Sequence, residues 1–266
     1  MKTLAYRIRL SLRIALLSAV GAVLWVGPAV GQSNVLRSAL EVHGGLGTWQ
    51  QQEAVAYDFD YQLGDATRDD RHLLDLRDRT VHISNDQYTV GVTDSTAWVT
   101  PSMKAYNYDA APRFYAKAYS YLFSVPFVFT DADARAEDVG SRTLQGTKYD
   151  VAKVTFEPGA GDSPNDVFYV FTDSASGRVH AVLFSVTFRN PDNTSPIVGL
   201  VYDEWQTVDG LTVPRAATMY RVSDLQLGRQ LADLSFTNVE WHDAPPSDDL
   251  FAAPEDAVMN PGAASR

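Results

Sequence analysis

Chemistry in this chain would have to come from histidines and carboxylates, because the sequence contains no cysteine. The five histidines are His43, His72, His82, His180 and His242. No two stand at metal-ligand spacing on a helix, so no metal ion is expected. His82 and His180 fall within strand patterns and read as structural. His43 sits beside Gly44-Gly45, where it could donate to a ligand or favour a helix C-terminus electrostatically. No G-x-S-x-G elbow occurs, and residues 159–163, GAGDS, lack its spacing. Phosphate loops and dinucleotide fingerprints are missing too. Asp131-Ala132-Asp133-Ala134-Arg135 begins like a calcium loop, but Arg135 falls where an oxygen ligand is needed and no glycine follows. Among 33 acidic residues no pair stands out for glycoside chemistry. These residues point to no catalytic site and no cofactor.

What the chain does offer in quantity is aromatic surface: five Trp, thirteen Tyr and twelve Phe. Phe and Trp line apolar pockets, and Tyr adds a polar tip that fixes orientation. The same residues would also build a large aromatic core. The elements that carry them must decide between the two.

Most of those elements are strands. From Ala54 the hydrophobic period is two: Val55, Tyr57, Phe59, Tyr61 and Leu63 alternate with Ala56, Asp58, Asp60 and Gln62. This predicts a strand with Tyr57, Phe59 and Tyr61 on a concave apolar face and the two acids in water. Further strands are predicted over 71–76, 80–84, 87–92, 96–100, 147–157, 167–172, 180–188, 198–208, 211–222 and 229–241. Asp209-Gly210 joins two of them as a two-residue hairpin. Residues 34–43 have a helical period, with Asn34 able to cap and Gly44-Gly45 to stop the helix. Many strands with short turns imply a meandering antiparallel sheet that curls into a barrel.

Residues 112–129, PRFYAKAYSYLFSVPFVF, break the strand pattern. Pro112 starts a helix and Pro126 ends it. Arg113, Lys117, Ser120 and Ser124 form one narrow polar stripe, expected to meet water. Phe114, Tyr115, Tyr119, Leu122 and Phe123 fill much of the rest. Such a helix needs apolar contact around most of its circumference. Lidding or plugging the mouth of a curled sheet would supply it, and so would plain packing as a core helix.

The N-terminus reads as an export signal: Lys2, Arg7, Arg9 and Arg13, then an apolar run, then Ala29-Val30-Gly31. Residues 1–31 are therefore expected to be a cleaved signal peptide. Residues 32–254 are expected to form one domain, and 255–266 a flexible tail. Cleavage would take the net charge from −11 to −15, since the signal carries four basic residues and no acid. That surface repels nucleic acid and anionic membrane. An exported chain without cysteine has no disulfides and must rely on its core.

The order of motifs resembles the lipoprotein-carrier superfamily, that of LolA and LolB, and within it the outer-membrane-lipoprotein-sorting-like branch. The motifs are His43-Gly44-Gly45 with Trp49 before an aromatic strand, the aromatic helix from Arg113, the hairpin VDGLTVP (208–214) and the closing DLFAAP (249–254). The resemblance implies a mainly β, LolA-like fold: a half-open antiparallel β-barrel with an N-terminal helix and a central aromatic lid or plug helix. It implies a periplasmic, non-enzymatic protein that takes a lipid or the acyl chain of a lipoprotein, with an envelope protein as a further partner. In that reading Trp49, Tyr57, Phe59, Tyr61, Trp98, Phe114, Tyr115, Tyr119, Leu122, Phe123 and Phe127 line the cavity and its lid. An arginine ties the lid to the barrel in the carriers; Arg71, Arg77 and Arg79 lie in the right region. A sensor or interaction module, and a hydrolase of envelope lipid or glycan, are the competing readings.

Overall fold

The computed structural model describes residues 33–64, 66–188 and 190–262. The signal peptide expected at 1–31 lies outside them. Thirteen strands form one open antiparallel sheet. In chain order they are β1 (Ala54–Leu63), β2 (Ala66–Asp75), β3 (Val81–Ser84), β4 (Thr89–Val92), β5 (Ala97–Thr100), β6 (Ala134–Leu144) and β7 (Thr147–Phe156). There follow β8 (Phe168–Thr172), β9 (Val179–Phe184), β10 (Val198–Val208), β11 (Leu211–Ser223), β12 (Gln226–His242) and β13 (Val258–Met259). Their order across the sheet is β13-β5-β4-β3-β2-β1-β12-β11-β10-β9-β8-β7-β6. The sheet is therefore two meanders joined where β1 pairs with β12.

That topology positions the central helices. Strand β5 lies near one edge and β6 at the other, so the chain between them must cross from wing to wing. The crossing carries α3 (Met103–Tyr106) and α4 (Pro112–Phe123), then a 3-10 turn at Phe127–Thr130. The N-terminal helices are α1 (Asn34–Val42) and α2 (Leu46–Trp49). Ser33 caps α1 by accepting from the amide of Leu36 at 3.1 Å.

The first strand has the predicted register. Tyr57 and Phe59 are fully buried and Tyr61 nearly so, while Asp58 is half-buried and Asp60 exposed. The hairpin Asp209-Gly210 joins β10 and β11, with Val208 opposite Leu211. Gly44 packs against it: a Cβ there would stand 2.2 Å from the Gly210 carbonyl oxygen, and its φ is +111°. The His43 carbonyl accepts from the Thr212 amide at 2.9 Å. The two glycine motifs of the sequence thus meet in space.

The structure adds to or departs from the sequence reading at three places. Strand β6 was not expected, because an edge strand need bury little, and its residues 137–143 are mostly exposed. Within the segment expected to be a loose tail, Val258–Met259 add β13 to β5, and the Asn260 side chain accepts from the Ala97 amide at 2.8 Å. In the expected polar stripe of α4, Ser120 and Ser124 are buried and only Arg113 and Lys117 approach solvent. The cause is the crossing, which wraps protein around the helix.

Candidate functional site

The candidate site is the inward face of β1 and β2 together with α4, which packs on β3, β4 and β5 and reaches β1 and β2 with its side chains. Strand β1 contributes Tyr57, Phe59 and Tyr61. Tyr57 stacks on Phe123 of α4 at 4.1 Å between ring centroids. Phe59 meets Tyr119 at 4.8 Å, and Tyr61 meets it at 5.6 Å. From the opposite wing, the Tyr202 hydroxyl donates to the Leu122 carbonyl at 2.8 Å. Trp49 closes one end by stacking on Phe127 at 4.5 Å.

Nine of the eleven expected residues therefore share one buried cluster: Trp49, Tyr57, Phe59, Tyr61, Tyr115, Tyr119, Leu122, Phe123 and Phe127. Two do not join them. Trp98 points to the other face of β5, where it covers Gly91, meets His82 and donates to the Phe251 carbonyl at 2.9 Å. The alternation along the strand requires this, since its neighbours Ala97 and Val99 point inward. Phe114 leaves the concave face and packs on Phe188 at 5.2 Å.

Opposite the aromatic row stands a polar one. Pairing sets Tyr61 against Arg68, Phe59 against Asp70 and Tyr57 against His72. Directly paired residues share a face, so all three polar side chains of β2 point inward. The Arg68 guanidinium donates to the carbonyls of Tyr106 and Asn107, each at 2.7 Å, at the end of α3. It also donates to the Tyr88 hydroxyl at 3.1 Å and lies 4.4 Å above the Tyr108 ring. Tyr88 in turn donates to Asp70 at 2.7 Å. Tyr115 of α4 donates to the same carboxylate at 2.6 Å, and the Asn85 amide at 2.8 Å. Burial pushes the Asp70 carboxyl up, against the pull of its hydrogen bonds to Tyr115 and Tyr88, the Arg68 charge and its bond to Asn85.

Arg68 thus ties the crossing segment to the sheet. None of the three candidate arginines does so in this way. Arg71 pairs with Asp58 at 3.0 Å, and Arg77 pairs with Glu53. Arg79 pairs with Asp131 beyond the 3-10 turn at 2.7 Å, while its carbonyl accepts from Lys117 of α4.

The aromatic row of β1 is covered by side chains of α4. Two clefts open elsewhere. One of about 310 Å³ is lined by Ala97, Ala111, Arg113, Phe188 and the tail from Asn260 to Gly262. The other, of about 360 Å³, lies between Trp49, Leu76, Arg77, Arg79 and Asp131. Neither is lined by the aromatic row of β1. No group of three or more His, Asp or Glu is placed to hold a metal ion among the described residues.

An open sheet of this order, crossed by a helical segment, matches a solved structure. A LolA superfamily protein from Nitrosomonas europaea superposes with a TM-score of 0.53 at 12% identity, over 85% of this chain and 98% of that one. The fold is LolA-like. A domain described as outer membrane lipoprotein-sorting, from Vibrio parahaemolyticus, gives 0.48 at 11% identity, over 81% and 97% of the two chains. A DUF1329 family protein from Desulfovibrio piger gives 0.47 at 8%, over 83% and 98%. No protein-family model matches the sequence, and no curated protein does.

Proposed function

We propose that this LolA-like protein is a periplasmic binding or carrier protein for a hydrophobic ligand, a lipid or the acyl chain of a lipoprotein, and that it is not an enzyme. One observation carries this reading: the apolar helix α4 lies against an aromatic wall and is held there by the bond from Tyr115 to Asp70, while Arg68 holds the end of α3 just before it. Such a fastening can be undone, and displacing the helix would free the wall for an acyl chain. Each buried methylene then gains about 0.8 kcal/mol. A face that wraps a chain this way selects broadly among greasy ligands.

The test is a mass spectrum of the organic extract of protein purified from the native envelope. Near-stoichiometric acyl lipid is expected, or uptake of a fluorescent fatty acid after delipidation. Protein that carries no lipid and takes up none would overturn the reading. Export belongs to the same proposal. N-terminal sequencing from the native host should find a start at Gln32, and a start at Met1 in the membrane fraction would contradict it.

A second reading rests on β6, which lies at the sheet edge. An envelope protein could add a strand there. Crosslinking from β6 would capture such a partner, and a lipid-free protein would favour this alternative.

A further inference from the structure

Within the concave wall, beneath α4, His72 is completely buried. Its Nδ1 faces the Tyr57 hydroxyl at 3.4 Å, and its Nε2 has no partner. Ser120 of α4, also buried, lies beside the same phenol. Burial holds the His72 imidazole far below its usual pKa, at about 3, so the ring is neutral. A neutral imidazole has one donor nitrogen and one acceptor. A phenol O–H is a stronger donor than a neutral imidazole N–H, and an imidazole nitrogen a stronger acceptor than a phenol oxygen, so the contact is assigned as Tyr57 donating to Nδ1, which puts the ring proton on Nε2. The chain of hydrogens then ends on a donor that nothing receives. Around it the wall is aromatic, with the Phe59 ring 5.0 Å and the Tyr115 ring 6.0 Å from the imidazole.

A buried N–H without an acceptor is costly, by about 1–3 kcal/mol. Buried polar groups are otherwise almost always paired. An all-apolar residue would fill this position without that cost, so the orphan marks a place for an acceptor that arrives from outside. Ser120 departs with α4 when the helix moves, whereas His72 and Tyr57 remain on the sheet. We propose that His72 is the polar anchor of the cavity, and that the ligand presents an acyl carbonyl oxygen, of an ester or a carboxylic acid, to its Nε2–H. This rests on the hydrophobic-ligand reading and sharpens it: the ligand is an acyl compound and not a plain hydrocarbon.

The test compares two rod-shaped fluorescent probes, trans-parinaric acid, which carries a carboxyl group, and diphenylhexatriene, which carries no oxygen. Wild type should bind both. His72→Leu should weaken parinaric acid about 10-fold, equivalent to about 1.4 kcal/mol, and leave diphenylhexatriene within about 2-fold, the contrast expected from losing one hydrogen bond. His72→Gln, which restores an N–H donor, should recover part of the loss. His72→Leu acting equally on both probes, or on neither, would overturn the anchor while leaving the carrier reading intact. Failure of wild type to bind either probe would instead overturn the carrier reading, and the anchor with it.

Discussion

At the scale of single residues, the two most buried histidines couple stability to pH. His43 donates from Nδ1 to the Thr212 carbonyl at 2.9 Å and accepts the Val179 amide at Nε2 at 3.3 Å, which needs a neutral ring. Burial lowers its pKa to about 4; the Arg178 charge acts the same way, and the bond to Thr212 opposes both. Burial lowers His72 to about 3. Both values lie below the unfolded 6.5, so as pH falls through 6.5 the unfolded chain takes up protons that the fold refuses. Stability therefore falls between pH 6.5 and about 4. Asp70 works in the opposite direction, because burial raises its pKa. The His72 contribution can be isolated by chemical denaturation. Between pH 7 and pH 5 the stability difference should move in favour of His72→Leu by roughly 2 kcal/mol. A difference that does not change with pH would mean that His72 is solvated. A second residue, Gly44, tests packing. Gly44→Ala should cost more than about 2 kcal/mol by thermal or urea unfolding, because the added carbon meets the Gly210 carbonyl at 2.2 Å on a backbone with φ +111°.

At the scale of elements, legibility followed the face each element shows to water. Between Tyr57 and Gln62 strand β1 buries alternate residues, so that stretch is readable directly, whereas Ala54–Tyr57 are buried on both faces and Leu63 is exposed. The Asp209-Gly210 hairpin carries its own turn chemistry, and α1 its helical period, but the cap is Ser33 and not the expected Asn34, which lies inside the helix. Strand β2 hid its function because its inward row is polar: Arg68, Asp70 and His72 invert the usual alternation. A strand predicted only from Arg71 onward omits Arg68 and Asp70, the two residues that hold the crossing segment. One signal could have found them. Gly64-Asp65 after β1 is a hairpin dipeptide, and a two-residue turn there sets Arg68 opposite Tyr61. The consequence is testable at this scale. Arg68→Met removes the donors to Tyr106 and Asn107. Hydrogen exchange should then speed up through 103–123 by about 10- to 100-fold, the equivalent of 1.5–3 kcal/mol for charged hydrogen bonds. Exchange in β10–β12 should stay unchanged. Equal acceleration in both regions would mean that Arg68 supports the whole fold and not the crossing segment.

At the scale of the whole molecule, one chain segment decides whether there is a cavity. The two wings of the open sheet meet at β1 and β12, and the segment from β5 to β6 spans the hollow between them. In this state α4 fills that hollow, and none of its residues is exposed. A ligand can reach Tyr57 and Phe59 only if α4 moves while the sheet stays folded. The absence of cysteine allows this motion to be observed with a single introduced thiol. Ala116 on α4 is fully buried, and Ala181 on β9 is equally buried in a separate cluster on the sheet. Ala116→Cys should react slowly with iodoacetamide in buffer and at least about 10-fold faster in the presence of lysolipid micelles, since labelling follows the population of the opened state. Ala181→Cys should react slowly under both conditions. Acceleration at both positions would indicate unfolding by the micelles. No acceleration at Ala116 would make α4 a permanent part of the core and remove the route by which a lipid could enter. Adding Arg68→Met to Ala116→Cys should raise the rate without lipid, because the tie that holds the segment closed is then gone.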